Sequence, residues 1–508
     1  MRLELGNSEA SVCPNQELDR PEGREMGCEV SRVERGAVVW MLLALLACGV
    51  GAQNLVVQVN LEEEGGNERE EVEIEDGEDD DRGIPMSNEA CSILQVGPNG
   101  TLTELVSSAD ILALSGETTA NCGDTGLAVA PNGTIYFSED VSDHIFRRLP
   151  DGTLSIFVTE AELDKLVGEA DSDNGMDVGP DGRLFVADEG CDCIYTVSTD
   201  GETLEIIVTE TEIGTVTGNI DDDEDRGERG ACTSGPPVAD LEGGLVVSPT
   251  GVVYFADDGE GCNPDRVPPR GLNYTNSLDS VLSATPDGKG GYDLAVVADE
   301  DDFFASLPYP DGYGACTNSF ANLDLDLELG SDGFLYVLDD RRTAPPPQAC
   351  EEDDRGTLGA LVSESKVIRI VSQSGAVSLV AAGADFGALS GAVSEQANLE
   401  GGIGISGSTL YVGDRISDVE VGFRGEPEST STIFEVSTAG AVSVFVSNED
   451  LQNFYGPRYP GRTARLSAGL DVAPSTSVLE IPVFDRTGAG VFVALLSLLA
   501  VWTVRRRL

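Results

Sequence analysis

The chain has 508 residues, with 91 Asp and Glu against 30 Lys and Arg, so its formal net charge at pH 7 is −61. A polyanion of this strength repels phosphate backbones, which argues against nucleic acid as a partner. The single histidine, His144, leaves no His pair for catalysis and no His-rich zinc site. Hydrophobic residues make up 40% of the chain, which is enough for a folded core.

Residues 1–52 are typical of a leader that ends in a secretory signal peptide. Arg32 and Arg35 precede the apolar run AVVWMLLALLACGVGA, which ends in small residues at Ala52. In an alternative interpretation, Cys48 is the lipidated residue of a lipoprotein box. Both predict export to the cell envelope, the cell surface or the medium.

An acidic segment follows the leader. The run LEEEGGNEREEVEIEDGEDDDR extends from Leu61 to Arg82 and carries almost only negative charge. Like charges at this density repel one another and leave little apolar surface to bury. We therefore predict that residues 53–88 form a disordered acidic linker.

The body of the chain, residues 89–480, is a repeat. Each unit has an alternating strand, a turn that usually contains Gly, and a second strand of β-branched and aromatic residues. The six units are GLAVAPNGTIYFSED from Gly126, GMDVGPDGRLFVADE from Gly175, GLVVSPTGVVYFADD from Gly244, DLELGSDGFLYVLDD from Asp326, GIGISGSTLYVGD from Gly402 and GLDVAPSTSVLEI from Gly469.

Two further strands follow most units, so each unit predicts one four-stranded blade of a β-propeller. The unit at Gly469 supplies two strands only. Two more strands, CSILQVGPNGTLTELV from Cys91, precede the first unit. The sequence thus predicts an all-β, six-bladed propeller whose last blade is closed by strands from both termini.

The C-terminal segment, residues 481–508, predicts a membrane anchor. Residues 488–504 form an uncharged span long enough for a transmembrane helix, and three arginines follow it. Those arginines should stay in the cytoplasm and leave the body outside. Ile481, Pro482 and Gly488 resemble the head of the IPTL-type sorting signal, although neighbouring positions differ from it. That resemblance implies processing by an exosortase-type membrane protease; the alternative is a simple tail anchor.

The repeat itself resembles six-bladed NHL-repeat and gluconolactonase-like propellers. The likeness lies in the pattern G-x-x-V-x-P-x-G-x-[LIV]-[YF]-[VF]-[AS]-[DE] and covers roughly residues 90–480. It implies the fold and leaves the activity open, because this fold hosts hydrolases, lyases and binding modules.

Connections on one side of the propeller are short turns, whereas the second-to-third and fourth-to-next-first connections are long. We call the side with the long connections the loop face, and it is where function is expected. Outside the leader the chain has an even number of cysteines, and an exported chain should pair them in disulfides. The pairs Cys232–Cys262 and Cys316–Cys350 are two of many possible pairings. The eight cysteines are Cys91, Cys122, Cys191, Cys193, Cys232, Cys262, Cys316 and Cys350.

A ring of acidic residues is predicted where the loop face meets the central channel. Five of the six residues that stand two positions before an inner strand are acidic, and such carboxylates repel one another unless a cation lies among them. Oxygen ligands favour Ca²⁺ or Mg²⁺. The six positions are Asp124, Asp173, Glu242, Asp324, Glu400 and Ser467. The gluconolactonase-like resemblance implies a divalent metal held by Glu242, Asn174 and Asp324.

Two functions are compatible with these patterns. The first is an exported or membrane-anchored propeller that binds an unknown protein or polymer through its loop face. The alternative is a metal-dependent, lactonase-like hydrolase. Because the sequence contains no complete catalytic set and identifies no catalytic residue, we expect a binding protein rather than an enzyme.

Overall fold

The chain divides into two units, Met1–Val50 and Gly51–Leu508, and every residue that the structure describes belongs to the second. The structure is a computed structural model. It describes residues 54–63, 90–122, 126–168, 170, 175–220, 235–241, 243–257, 279–299, 302–303, 306, 326–339, 342–343, 362–363, 365–390, 399, 401–415 and 431–473.

The described residues form antiparallel strands and short helices. The strands are β1 (Asn54–Glu63), β2 (Ala90–Val96), β3 (Leu102–Val106), β4 (Leu127–Val129), β5 (Ile135–Phe137), β6 (Ile145–Arg148), β7 (Leu154–Val158), β8 (Met176–Val178), β9 (Leu184–Asp188), β10 (Cys193–Val197), β11 (Leu204–Val208), β12 (Leu245–Val247), β13 (Val253–Asp257), β14 (Ser280–Pro286), β15 (Tyr292–Asp299), β16 (Leu327–Leu329), β17 (Phe334–Asp339), β18 (Arg342–Thr343), β19 (Val362–Ser363), β20 (Lys366–Val371), β21 (Val377–Ala382), β22 (Ile403–Ser406), β23 (Thr409–Arg415), β24 (Ser431–Ser437), β25 (Val442–Val446) and β26 (Arg462–Ala473). The helices are α1 (Ser108–Ser115), α2 (Glu160–Val167), α3 (Glu210–Thr217), α4 (Gly383–Ser390) and α5 (Asn448–Tyr455).

Six of the sheets have four strands each, which confirms the predicted six-bladed propeller. Each blade has an inner strand, and each inner strand packs against the inner strand of the next blade, so that β26 contacts β4 and the ring closes. Strands β18 and β19 form a separate two-stranded sheet. From the inner strand outward, the blades are β4-β5-β6-β7 (blade 1), β8-β9-β10-β11 (blade 2), β12-β13-β14-β15 (blade 3), β16-β17-β20-β21 (blade 4), β22-β23-β24-β25 (blade 5) and β26-β1-β2-β3 (blade 6).

Blade 6 combines strands from both ends of the chain, but its composition differs from the prediction. The position beside β26 was predicted for a strand that follows Gly469 in sequence; β1 takes it instead, with Val57 opposite Leu470 of β26 and Leu94 of β2. Residues 54–63 were also predicted to belong to the acidic linker, and that boundary was wrong. The reason is that every second residue of β1, from Leu55 to Leu61, is apolar and buried in the core shared with blade 5, whereas a solvated linker would expose these side chains.

The hydrophobic core lies between neighbouring blades. Between blades 2 and 3, for example, Phe185 and Ile194 of one blade pack with Leu245 and Phe255 of the next, and all four side chains are at most 3% exposed. Each such side chain contributes about 1.5–3 kcal/mol when fully buried. Burial at the blade boundaries therefore holds the ring together.

Among the residues that the structure describes, a short helix follows the outer strand in blades 1, 2, 4, 5 and 6, on the loop face. Four of these helices begin with a capping box, in which the N-cap Ser or Thr and an acidic residue three positions later satisfy each other's backbone amides. In α1, the backbone amide of Ser107 donates to Asp110 Oδ2 at 3.1 Å. The N-caps are Ser107, Thr159, Thr209 and Ser447.

Across the part of the chain that the structure describes, no helix combines the length and the apolar composition needed to cross a membrane. The predicted leader (residues 1–52) and the predicted C-terminal anchor with its sorting signal (residues 481–508) lie outside the described residues.

Candidate functional site

The predicted ligands of the channel mouth lie outside the described residues: Asp124, Asp173, Asn174, Glu242, Asp324 and Glu400. Ser467, the sixth ring position, is described and is 1% exposed. Within the described ranges, no group of three or more His, Cys, Asp or Glu side chains is arranged to hold a metal ion. The structure does describe the main chain next to several ring positions.

One anchoring contact recurs beside three positions of the predicted ring. A leucine amide, one residue before the ring position, donates to a side-chain oxygen at the start of the third strand of the preceding blade. The three contacts are Leu241 to Asp192 Oδ1 (3.0 Å), Leu399 to Ser365 Oγ (3.3 Å) and Leu466 to Ser431 Oγ (3.1 Å). The residues that follow are Glu242, Glu400 and Ser467. The repeat therefore fixes the main chain of the channel mouth at equivalent heights in three blades.

The acceptor Asp192 belongs to a tight turn that blade 1 repeats. Asp143 in blade 1 and Asp192 in blade 2 both have φ near 46°, a left-handed conformation that Asp adopts at a small cost. In blade 1 the turn is held by Glu139, whose carboxylate accepts from the backbone amide of Ser142 at 3.1 Å and from its hydroxyl at 2.7 Å. Glu139 is buried, which raises the pKa of its carboxyl above the ordinary value.

In blade 2 the same turn is held by a covalent bond. Cys191 and Cys193, on either side of Asp192, form a disulfide, and the amide of Cys191 donates to Asp188 Oδ1 at 3.1 Å. A second disulfide joins Cys91 of β2 to Cys122, in the connection that leads to blade 1. All four described cysteines are thus paired, whereas Cys232, Cys262, Cys316 and Cys350 lie outside the described residues.

The wall of the central channel carries carboxylates that the sequence analysis missed. Asp177, Glu328 and Asp471 are at the equivalent position of the inner strands of blades 2, 4 and 6. The other three blades have Ala128, Val246 and Gly404 there. The sequence does contain the signal, as an alternation of MDV, LEL and LDV with LAV, LVV and IGI. It is informative only once these residues are known to line the channel.

The channel carboxylates satisfy backbone amides across blade boundaries. An inner strand is the edge of its own sheet, so its amides on the open side have no partner within the blade. Asp177 Oδ2 accepts from the amide of Val247 in blade 3 at 2.6 Å, and Asp471 Oδ2 accepts from that of Val129 in blade 1 at 2.6 Å. In blade 4 the acceptor is Asp326, just before β16, whose Oδ2 lies 3.3 Å from the amide nitrogen of Ile403. Carboxylates therefore connect three alternate boundaries of the ring.

Enclosure in the channel raises the pKa of each of these groups. The side chains keep partial access to water although protein surrounds them on all sides, as expected for the wall of a narrow channel. Burial and the negative charge of Asp471 raise the pKa of Asp177 to about 7. Burial raises the pKa of Asp471 to about 6, despite two donating amides. Burial also raises the pKa of Asp326 and of Glu328 well above the ordinary value, and neighbouring carboxylates add to it.

This arrangement limits how many of the channel carboxylates can be ionised at once. Carboxylates that share a low-dielectric space cannot all ionise without a large repulsive energy. Near neutral pH part of the wall therefore retains protons.

No protein-family model and no curated protein matches the chain. Solved structures that resemble it include a gluconolactonase from Xanthomonas campestris, at 17% identity over 67% of this chain and 82% of that chain, with a TM-score of 0.32. The calcium-binding protein regucalcin from Agrobacterium tumefaciens is 15% identical over 35% of this chain and 46% of its own length, with a TM-score of 0.21. A virginiamycin B lyase from Staphylococcus aureus is 12% identical over 63% of this chain and 93% of that chain, with a TM-score of 0.27. At these values the likeness identifies no activity for this chain.

Proposed function

We propose that this chain is an exported β-propeller that binds a protein or polymer partner through its loop face and holds a divalent cation, Ca²⁺ or Mg²⁺, at the channel mouth. The observation that carries the proposal is the repeated anchor of Leu241, Leu399 and Leu466. A mouth whose main chain is fixed at equivalent points suits ligands that must converge on one ion.

Electrostatics supports the cation. Asp177, Glu328 and Asp471 line the channel, and the charges that act there are those of other carboxylates: Asp471 raises the pKa of Asp177, and both raise the pKa of Glu328. Their negative potential would draw cations into the channel and raise their local concentration at its mouth. The proposed ligands are the oxygen atoms of Asp124, Asp173, Asn174, Glu242, Asp324 and Glu400.

The role of His144 favours a binding protein over an enzyme. Its Nδ1 accepts the backbone amide of Glu160, the first residue of α2, at 3.2 Å. The chain has no other histidine, so the common His-based catalytic sets are absent. A metal-dependent hydrolase is the second candidate. It is favoured by the position of the Asp177 carboxylate on the channel wall, where burial raises its pKa to about 7, a value that suits a general base.

Isothermal titration of the full chain with CaCl₂ and with MgCl₂ tests the cation. We expect saturable binding that weakens at least about tenfold in Glu242→Gln, since loss of a ligand charge of this kind costs more than about 1.4 kcal/mol. The matched control is Glu202→Gln, a change at an exposed turn on the opposite side of the propeller, which should bind like the wild type. Absence of heat in the wild type, or equal affinities in both variants, would contradict a metal at this mouth.

A panel of lactones, assayed with and without EDTA, separates the two candidates. If the chain turns over a lactone, and if both EDTA and Asp177→Asn reduce that turnover, the hydrolase is the correct candidate and the binding function is not. Cation binding without turnover supports the binding function.

We also propose that export and the segment 481–508 keep the body on the extracytoplasmic side of the membrane. Cell fractionation of the full chain and of a chain that ends at residue 480 tests this. The full chain should sediment with membranes and the shortened chain should be released. Equal release of both would contradict the anchor.

A further inference from the structure

Strand β1 joins the N-terminal and C-terminal strands of blade 6 into one sheet. It lies in the interior of blade 6, between β26 on one side and β2 on the other. Its register runs from Asn54 opposite Ala473 to Glu63 opposite Arg462 along β26, and from Leu55 opposite Val96 to Leu61 opposite Ala90 along β2. Without β1, the inner strand β26 would have no neighbour within its own blade.

The slot that β1 fills is specific for its side chains. Leu55, Val57, Val59 and Leu61 are at most 2% exposed in the core shared with blade 5, and Val56 packs in the core shared with blade 1. The slot also recognises two polar side chains. Gln58 Nε2 donates to the carbonyl oxygen of Ser138 at 3.0 Å, and Asn60 Nδ2 donates to Asn121 Oδ1 at 2.9 Å.

The connection between β1 and β2 is far longer than their geometry requires. Adjacent antiparallel strands are commonly joined by a two-residue turn, and Leu61 already lies opposite Ala90. The chain instead places 26 residues, 64–89, between them, with twelve Asp and Glu against two Arg. Lengthening a connection adds little to the entropic cost of closing it, and like charges favour extension. Such a connection would allow β1 to reach the slot of another molecule.

We propose that β1 is an exchangeable strand and that the slot between β26 and β2 accepts the β1 of a second copy of this chain. Reciprocal exchange gives a closed dimer in which every blade is complete, without any new interface. A chain's own strand is present at an effective concentration in the millimolar range, so it fills the slot in dilute solution. Exchange occurs where copies fold at comparable local concentrations.

A peptide tests the specificity of the slot in the full chain. The substitution Val57→Asp places a charge in the core and should displace the chain's own β1. A fluorescent peptide with the sequence of Asn54–Glu63 should then bind and raise the melting temperature, whereas the same peptide carrying Val57→Asp should not. Failure of the wild-type peptide to bind, including failure because the variant stays unfolded in its presence, would overturn the proposal.

Refolding tests the exchange itself and does not depend on that variant. Wild-type chains refolded together at about millimolar concentration should give dimers in native mass spectrometry, including mixed dimers of two isotopically labelled preparations. A variant in which an Asn-Gly turn replaces residues 64–89 holds β1 beside its own β2 and should remain monomeric. Absence of wild-type dimers, or equal dimer formation by the Asn-Gly variant, would rule out exchange of β1.

Discussion

The inner strands of blades 2, 4 and 6 and those of blades 1, 3 and 5 have the same position in the ring but different chemistry. The first set carries Asp177, Glu328 and Asp471 on the channel wall, whereas the second carries Ala128, Val246 and Gly404. The boundaries that follow blades 2, 4 and 6 are joined by carboxylate-to-amide hydrogen bonds.

Close packing occurs at both kinds of boundary. At the carboxylate boundary between blades 2 and 3, a Cβ atom on Gly175 would clash with the amide nitrogen of Leu245. A Cβ atom on Gly244 would lie 2.5 Å from Cα of Asp326, and one on Gly404 would lie 2.8 Å from Cδ2 of Leu470. The carboxylate acceptors of blades 2, 4 and 6 are therefore an addition to close packing between blades. Because like charges in one channel repel one another, the acceptor is used in alternate blades only.

The largest effect is expected from breaking this alternation with Val246→Asp. The new carboxyl would join the channel between blades 2 and 4 without an amide assigned to it. Burial of an uncompensated charge should lower the free energy of unfolding by at least about 3 kcal/mol at pH 8, measured by urea denaturation. Val246→Asn is the neutral control and should lower the free energy of unfolding by less. Equal losses for Asp and Asn would mean that charge plays no part in the alternation.

A smaller loss is expected when a carboxylate acceptor is removed. Asp471→Ala leaves the amide of Val129 without its 2.6 Å partner, which should cost about 1–3 kcal/mol. Urea denaturation measures that loss, and hydrogen exchange at Val129 should accelerate. Glu205→Ala, at an exposed position of β11, is the control and should change stability by less than about 0.5 kcal/mol. If both variants lose the same free energy of unfolding, the hydrogen bond between Asp471 and Val129 contributes nothing to stability.

The smallest effect is expected in the dependence of the free energy of unfolding on pH. In the folded state the pKa of Asp177 is about 7 and that of Asp471 about 6, whereas an unfolded Asp titrates near 3.9. Between about pH 3.9 and these higher pKa values, the folded state binds more protons than the unfolded state. The protonated carboxyls therefore contribute fully to the free energy of unfolding below about pH 4, and that contribution is lost as the pH rises through 6 to 7. The slope should reach at most about −1.4 kcal/mol per pH unit for each group.

Asp177→Asn should flatten the upper part of that profile, between pH 5 and 7, when unfolding is measured at moderate salt to screen the general surface charge. Asp200→Asn, at an exposed turn, is the control. Hydrogen bonds from Ser198 and Glu202 lower the pKa of Asp200 below its ordinary value, so this change should leave the profile between about pH 5 and 7 unaltered. A wild-type stability that rises with pH over this range would contradict enclosure of the channel carboxylates.

The sequence predicts the blades well because their signals are local. An alternating strand, a Gly-containing turn and a β-branched strand recur at every inner pair, from Leu127 onward. The capped helices were missed because eight residues are too few for a clear helical period, although the capping boxes at Thr159 and Thr209 are readable. Strand β1 was missed for a different reason. No turn marks it, and its partner in β26 is about four hundred residues away, so no local pattern identifies the pairing.

The candidate site was predictable only in part. The ring of acidic residues before the inner strands follows from counting along the repeat. By contrast, Asp177 and Glu328 look like isolated charges in three-residue strands, and Asp471 like one near the end of the longer strand β26. Their shared position becomes apparent only when the blades are arranged around one axis. The turn at Asp192 likewise needed the structure, because Cys191 and Cys193 pair with each other across a single residue.

The joining of the two chain ends in blade 6 also determines when the ring can close. The hydrogen bond from Arg462 to the carbonyl oxygen of Leu61 spans 401 residues, and that from Val129 to Asp471 spans 342. Contacts of such sequence separation form late and make folding slow. A chain is synthesised from its N-terminus, so β1 is made long before β26, the strand with which it pairs. The complete propeller therefore cannot form before residue 473 has been synthesised.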